Sequence, residues 1–259
     1  MMNSTVGIMR PLRYAQSSLD LATSLGFSAV VCPMIEINDN LDLGFESFTG
    51  RVFSSKADYV IFTSANGVDF TLCKIQNIEQ FIESLNNSRI VAIGPGTRDA
   101  LEQHRIHVSL MPEVYSSTGL IGLLSDVSGC EVDIVRSTHG APVLVEKLLE
   151  RGARVHETCV YTLVKPSGEN QQEFIRQVLC GEVDILPFTS TMMVRNFMSI
   201  AESMNVSGSL SDRMNNISVG AIGIPTADTL KKYGIKNIIM PEKYLFKELL
   251  LLLKEAHHQ

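Results

Sequence analysis

Short apolar runs alternate along the chain with stretches that carry apolar residues at helical spacing. VGIM (6–9), YVIFT (59–63), RIVAIG (89–94), IHVSLMP (106–112), EVDIVR (131–136) and ARVHETCVY (153–161) are brief and rich in β-branched residues. Each predicts a strand, and SAVVCPMIEI (28–37) predicts another. Helical stretches follow: Ser17 to Leu25, closed by Gly26; a segment from Gly67; TRDALEQH (97–104); APVLVEKLLERG (141–152); and LFKELLLLLKEA (245–256). Ser117 or Thr118 is placed to cap a helix through Gly119 to Leu124. Apolar strands alternating with helices of about ten residues predict βαβ units, a mostly parallel sheet and right-handed crossovers.

The pattern is written twice. DYVIFTSANGVDF (58–70) is matched by DILPFTSTMMVRNF (184–197), which sets Phe62-Thr63-Ser64 126 positions before Phe188-Thr189-Ser190. VAIGPGTRDAL (91–101) is matched by GAIGIPTADTL (220–230), with Gly94 and Gly223, and Thr97 and Thr226, each 129 apart. The same step joins Met111-Pro112-Glu113 and Tyr115 to Met240-Pro241-Glu242 and Tyr244. VGIMR (6–10) and VDIVR (132–136) align Arg10 with Arg136, and Gly26 then aligns with Gly152. These matches predict an internal duplication of about 125 residues, and hence two domains.

The two segment types alternate along the chain, which fits two arrangements. Domains in series need a linker only near 125–131, where VSGCE (127–131) runs straight into a strand. A nested arrangement needs two crossings, and polar, turn-rich stretches lie at 36–50 and 161–172. The expectation is therefore nested: a discontinuous α/β domain from 1–36 plus 170–259, and a continuous inserted α/β domain at 40–162. The fold class is α/β, with two similar flavodoxin-like or Rossmann-like parallel-sheet domains.

Composition narrows the function. Of 259 residues, 45% are apolar and 19% charged, a balance that builds a sizeable core and is unlike a disordered chain. Lys and Arg number 22 against 28 Asp and Glu, and the formal net charge of -6 disfavours a general nucleic-acid binder. No apolar run approaches the ~18 residues that would span a membrane. MMNSTVGIMRPLRY lacks the basic-then-apolar order of a secretory signal, so a cytoplasmic location is expected. Cys32, Cys73, Cys130, Cys159 and Cys180 are odd in number and not closely spaced, so buried free thiols are expected rather than disulfides or a zinc site.

Candidate chemistry lies where strands give way to helices. In open parallel sheets, ligands bind beyond the carboxyl ends of the strands. Helix N-termini there offer unpaired N–H groups and a positive dipole end. Thr63-Ser64-Ala65-Asn66-Gly67 and Thr189-Ser190-Thr191 occupy such turns. So do Gly94-Pro95-Gly96-Thr97 and Gly223-Ile224-Pro225-Thr226, whose threonines are placed to cap. Arg10 and Arg136 end strands. Each turn alone is an ordinary capping device, and each Arg could equally make a local salt bridge. Two such edges together suit a large polyanionic small molecule better than a mononucleotide. No G-x-G-x-x-G, P-loop or G-x-S-x-G elbow is present. Tyr161 closes a strand where the chain is expected to cross between domains. It reads either as a cleft-exposed proton or hydrogen-bond donor, or as an aromatic packed at a hinge.

As a set, these segments resemble uroporphyrinogen-III synthase. The likeness rests on Arg10, the strand ending near Pro33, YVIFTSANGV (59–68), VAIGPGTRDAL, MPEVYSSTGL (111–120), IVR (134–136), RGARVHETCVYTLVKP (151–166), FTS (188–190), IGIPTADTL (222–230) and MPEKY (240–244). It covers nearly the whole chain in the family's order. It implies two similar domains joined by a two-stranded crossing, the inner continuous and the outer built from both ends. It implies cyclisation of hydroxymethylbilane, a linear tetrapyrrole with carboxylates on every ring, to uroporphyrinogen III. Ring D is inverted and water lost, through an azafulvene and a spiro-pyrrolenine. No metal or organic cofactor is implied. The product serves haem, sirohaem and cobalamin synthesis. The implied setting is a cytoplasmic monomer that takes its substrate by transient hand-over from hydroxymethylbilane synthase, with no nucleic acid or membrane involved.

The resemblance also implies roles. Tyr161 matches the tyrosine proposed to assist hydroxyl departure. Ser64, Ser190 and Thr226 match substrate-binding positions, and Thr63, Asn66, Gly94, Ser116 and Arg136, in the same motifs, are expected to bind substrate as well. Arg10 is expected to meet a carboxylate or brace the site. The second copy departs from the first, with FTSTMMV for FTSANGV and Ile224-Pro225-Thr226 for Pro95-Gly96-Thr97. The halves are therefore not equivalent, and the loop at Gly223 can be shifted by a residue. A solute-binding module would show an export signal or lipid-attached cysteine. A glycosyltransferase-like enzyme would show an acidic nucleotide-binding residue beside a glycine-rich turn. The sequence displays neither.

Overall fold

A computed structural model describes residues 4–257. Positions 1–3 and 258–259 of the expected discontinuous domain lie outside the described residues. In chain order the elements are β1 (Thr5–Ile8), α1 (Ala15–Ser24), β2 (Ser28–Val31), β3 (Glu36–Asp39), α2 (Phe45–Phe53), β4 (Tyr59–Phe62), α3 (Ala65–Leu72) and α4 (Ile78–Leu85). They continue with β5 (Arg89–Ala92), α5 (Pro95–Gln103), β6 (Val108–Leu110), α6 (Ser117–Leu123), β7 (Glu131–Ser137), α7 (Val143–Glu150) and β8 (Arg154–Val164). The last are α8 (Glu169–Cys180), β9 (Ile185–Phe188), α9 (Thr191–Ser203), α10 (Ser207–Met214), β10 (Ser218–Ala221), α11 (Ile224–Lys232), β11 (Ile238–Ile239) and α12 (Phe246–His257).

The chain divides into two compact units. One comprises Met1–Glu36 and Val164–Gln259, the other Ile37–Leu163. The first unit holds a sheet in the order β11-β10-β9-β1-β2, and its strand pairs run parallel. Read from β2, this is the 2-1-3-4-5 order of flavodoxin-like sheets. The second unit holds the order β3-β8-β7-β4-β5-β6, and the pairs from β8 to β6 run parallel.

Strands buried on both faces read as continuous apolar runs. In β4, Val60 and Phe62 join Phe48, Val52, Val68, Phe81 and Leu101 on one face. Tyr59 and Ile61 join Leu120, Leu144 and Leu148 on the other. This is the period-2 alternation of a strand. In the first unit, Val6, Ile8 and Ile185 pack against Ala22 of α1 and Leu249, Leu250 and Leu253 of α12. In the same unit, Phe197 of α9 meets Phe174 of α8 and Phe188 of β9 at ring-centroid distances of 6.2 and 5.6 Å. One small device recurs. Asn86 accepts the His107 N–H at 2.8 Å and donates to the Arg105 carbonyl at 3.0 Å. Asn215 does the same with the Lys236 N–H at 2.8 Å and the Gly234 carbonyl at 3.0 Å.

Several expectations are corrected. The run 28–37 is two strands in two sheets: β2 ends at Val31 on the edge of the first sheet, and β3 begins at Glu36 in the second, past Pro33, which has no N–H to donate. The stretch 36–50 holds β3 and the first turns of α2, and the boundary between the two units falls at its start, between Glu36 and Ile37. Ser116, not Ser117 or Thr118, caps α6, its Oγ accepting the Gly119 N–H at 3.1 Å. Among the described residues, no helix is long and apolar enough to cross a membrane.

The cysteines also differ from expectation. Cys32 is buried, Cys130 and Cys159 are half-buried, and Cys73 and Cys180 are exposed. Burial pushes the Cys32 thiol up to about 11. Burial, with Glu157 beside it, does the same to Cys159, also to about 11. The thiolate is the reactive form. A thiol reagent at pH 8 should therefore modify Cys73 and Cys180 in the fast phase and Cys32 only on unfolding. Mass mapping that finds Cys32 among the first sites modified would contradict this burial.

Candidate functional site

The candidate residues fall at the carboxyl ends of strands, and each unit carries its own set. In the Ile37–Leu163 unit, β4 ends at Phe62 and Ser64 takes extended backbone as the N-cap of α3. Its Oγ accepts the Gly67 N–H at 3.0 Å. Thr63 is tied to the neighbouring strand, its N–H and Oγ1 both donating to the Val135 carbonyl at 3.2 and 3.3 Å. Asn66 is half-buried in the first turn of α3. One strand over, Gly94 begins α5 with Pro95 in its first turn.

Tyr161 is brought to this edge from β8. Its Oη lies 2.9 Å from Ser64 Oγ. Its ring stacks on Phe70 of α3, with centroids 5.6 Å apart and planes 16° from parallel. Tyr161 is only 6% exposed, so it is not the open tyrosine of the first reading; its ring is packed, as the second has it, and its hydroxyl is hydrogen-bonded. Lys74 lies 5.6 Å over the Phe70 ring, donates to the Val160 carbonyl at 2.9 Å and pairs with Asp39.

Arg136 lies in β7 and is buried. Its guanidinium pairs with Glu157 and donates to the Ala141 carbonyl at 2.8 Å, while Nε has no partner. Gly140 lies over it so closely that a Cβ there would fall 2.5 Å from Arg136 Cδ. The local salt bridge considered for this residue is thus present.

In the other unit, Ser190 caps α9, its Oγ accepting the Met193 N–H at 3.1 Å. Gly223 begins α11. Thr97 and Thr226 do not cap; both are buried one turn into their helices, behind Gly94 and Gly223. Arg10 follows β1 and sits between two rings, 4.8 Å from the Tyr14 centroid and 4.6 Å from that of Phe246. It donates to Ser18 Oγ at 3.0 Å, and burial draws its guanidinium below its ordinary value.

Tyr115 and Tyr244 recur in the repeats, 129 positions apart. Each lies against the glycine that opens a helix. A Cβ on Gly94 would be 3.2 Å from Tyr115, and one on Gly223 would be 3.5 Å from Tyr244. Both rings remain more than half exposed. Each glycine therefore keeps an aromatic close beside first-turn N–H groups. Such groups at α3, α5, α9 and α11 can hold carboxylates with no strong acid or base. A separate groove of about 400 Å³, lined by Val31, Cys32, Glu36 and Phe174, contains none of the candidate residues.

The family model described as uroporphyrinogen-III synthase HemD matches residues 18–250. The chain belongs to the uroporphyrinogen-III synthase family. It is 28% identical over 246 residues to the uroporphyrinogen-III synthase of Chlorobaculum parvum, spanning 93% of this chain and 94% of that one. It is 29% identical over 251 residues to a putative uroporphyrinogen-III synthase of Methanothermobacter thermautotrophicus, spanning 95% of each. The fold is shared with a mutant uroporphyrinogen III synthase of Thermus thermophilus, at TM-score 0.66 and 22% identity over 98% of each chain. It is shared too with the Helicobacter pylori uroporphyrinogen-III synthetase, at TM-score 0.62 and 19% identity over 98% of this chain and all of that one. Membership places the chain, at family level, among lyases of tetrapyrrole biosynthesis.

Proposed function

We propose that the protein cyclises hydroxymethylbilane to uroporphyrinogen III with loss of water and inversion of ring D. The observation that carries this reading is Tyr161, hydrogen-bonded to Ser64 at the start of α3. Departure of the terminal hydroxyl needs a proton, and a phenol can supply one without a metal. The azafulvene so formed is attacked by the substituted carbon of ring D, giving a spiro-pyrrolenine that fragments and closes the other way. Closure without inversion competes in solution, so much of the catalytic task is conformational. First-turn N–H groups at Ser64, Gly94, Ser190 and Gly223, with Arg10, hold the carboxylates in this reading. Thr63, Asn66 and Ser116 shape the turns, and Thr226 packs beneath one of them. Arg136 braces β7 and β8 unless Glu157 is displaced.

The reading includes an internal duplication. Its support is the shared 2-1-3-4-5 strand order, entered at the third strand in the inserted unit. The paired Asn86 and Asn215 devices and the paired Gly94–Tyr115 and Gly223–Tyr244 contacts add to it. A nested domain pair, action as a cytoplasmic monomer and hand-over from hydroxymethylbilane synthase belong to the same proposal. The test is a coupled assay. Freshly made hydroxymethylbilane is incubated with and without the protein, oxidised, and its uroporphyrin isomers separated. Isomer III should predominate; isomer I alone, at the spontaneous rate with folded protein, would overturn the function.

A further inference from the structure

Ser64 Oγ makes two contacts of different kinds. It accepts the Gly67 N–H at 3.0 Å, and it lies 2.9 Å from Tyr161 Oη. Only one hydrogen can occupy the line between the two hydroxyls. If Tyr161 donates along it, the phenol proton points into the protein. If Ser64 donates, the phenol proton is free to turn toward a substrate. The helix favours the second arrangement. An oxygen that accepts a hydrogen bond becomes a better donor through its own O–H, and the N-terminus of α3 adds its positive dipole end.

We propose that Ser64 is a positioning residue that acts through Tyr161. Gly67 N–H donates to Ser64, Ser64 donates to Tyr161 Oη, and the phenol proton is thereby presented outward. The proposal rests on the assignment of Tyr161 as the proton donor. The proton balance closes. The Tyr161 O–H bond breaks as the C–O bond of the hydroxymethyl group breaks, and water leaves with the electron pair. The phenolate is held by the Ser64 hydrogen bond, which strengthens when its acceptor is charged. The proton released from the ring D α-carbon on the last C–C bond formation returns to the phenolate.

Two further observations fit. The ring cannot easily turn away from Ser64, because Phe70 is stacked on it and Lys74 ties Phe70 to the Val160 carbonyl beside it. The matching serine has no such duty. Ser190 caps α9 in the same way, but the residue 126 positions before Tyr161 is Ile35, which has no hydroxyl. The two FTS turns are thus specialised: Ser64 serves the proton donor, and Ser190 is left for substrate.

The test is a double-mutant cycle on the full chain with freshly made hydroxymethylbilane. Ser64→Ala should lower kcat about tenfold with KM within about twofold of wild type. Ser64→Gly, which preserves helix capping far better than Ala, should show the same loss, so misfolding is not the cause. Ser64→Thr keeps both hydrogen bonds and should recover kcat to within about threefold. In a Tyr161→Phe background, Ser64→Ala should change kcat by less than about twofold. Ser190→Ala should instead raise KM. A Ser64→Ala variant that raises KM and keeps kcat would overturn the proposal, as would a full multiplicative loss in the double variant. If Tyr161→Phe alone runs at the wild-type rate, the proton-donor assignment fails first, and that single variant shows it.

Discussion

Tyr161→Phe should lose at least about a hundredfold in kcat while folding as the wild type does. General acid catalysis by one placed group contributes roughly 10² to 10⁴ in rate. The substitution removes only an oxygen. The phenylalanine ring keeps the stack on Phe70, so the packing of a residue 6% exposed is preserved. The lost contact with Ser64 Oγ is a neutral hydrogen bond, worth about 1 kcal/mol in stability. KM should move little, because first-turn N–H groups and Arg10 hold the carboxylates. The product should shift toward isomer I, since slow enzymatic turnover leaves spontaneous closure time to compete. Rapid-quench turnover with isomer separation checks the first part, and thermal unfolding checks the second. A kcat within threefold of wild type would remove Tyr161 from the mechanism.

Why some of this was legible and some not comes down to the range of the interactions. Repeated local signals were visible because a strand end, a cap and a helix start lie within a few residues: FTS at 62–64 and 188–190, and the Gly94 and Gly223 turns. The burial of Tyr161 was not, because it depends on Phe70, which comes from α3 and is far away in sequence. Helices α2, α4, α8 and α10 are a different case: they lie outside the repeated segments that announce the other elements. Thr97 and Thr226 look like caps in the sequence because Thr is a good cap. In the structure an extended glycine precedes them, and Pro95 or Ile224 begins the helix. Arg136 shows the limit of motif reading: a strand-ending Arg looks alike whether it meets substrate or, as here, Glu157.

The second large effect concerns a pair that no local pattern announces. Arg51 of α2 grips Asp133 of β7 through Nε, 3.1 Å from both carboxylate oxygens, and Nη2, 2.6 Å from Oδ1. Asp133 alternates with Val132 and Ile134, so it points to the face of the sheet that α2 covers. Its side chain is wholly buried, while Arg51 keeps 18% exposure. Burial raises the Asp133 carboxyl above its ordinary value, and Arg51 only partly offsets this. Arg51→Leu should therefore destabilise the Ile37–Leu163 unit by about 3–5 kcal/mol, the cost of a buried charge without its partner. The sign with pH follows from linkage. In the native state Asp133 holds its proton to a higher pH than in the unfolded chain. The contribution of Asp133 to stability is greatest below the unfolded carboxyl value and is lost as pH rises through the raised folded one. Removing Arg51 raises the folded value further, so the variant should regain stability on mild acidification by more than the wild type does. Replacing both residues by leucine removes the charge itself and should bring stability back to within about 1–2 kcal/mol of wild type. Hydrogen exchange of the β7 amides across a pH series would report all three proteins. An Arg51→Leu variant as protected as wild type at neutral pH would show that water or another group already satisfies Asp133.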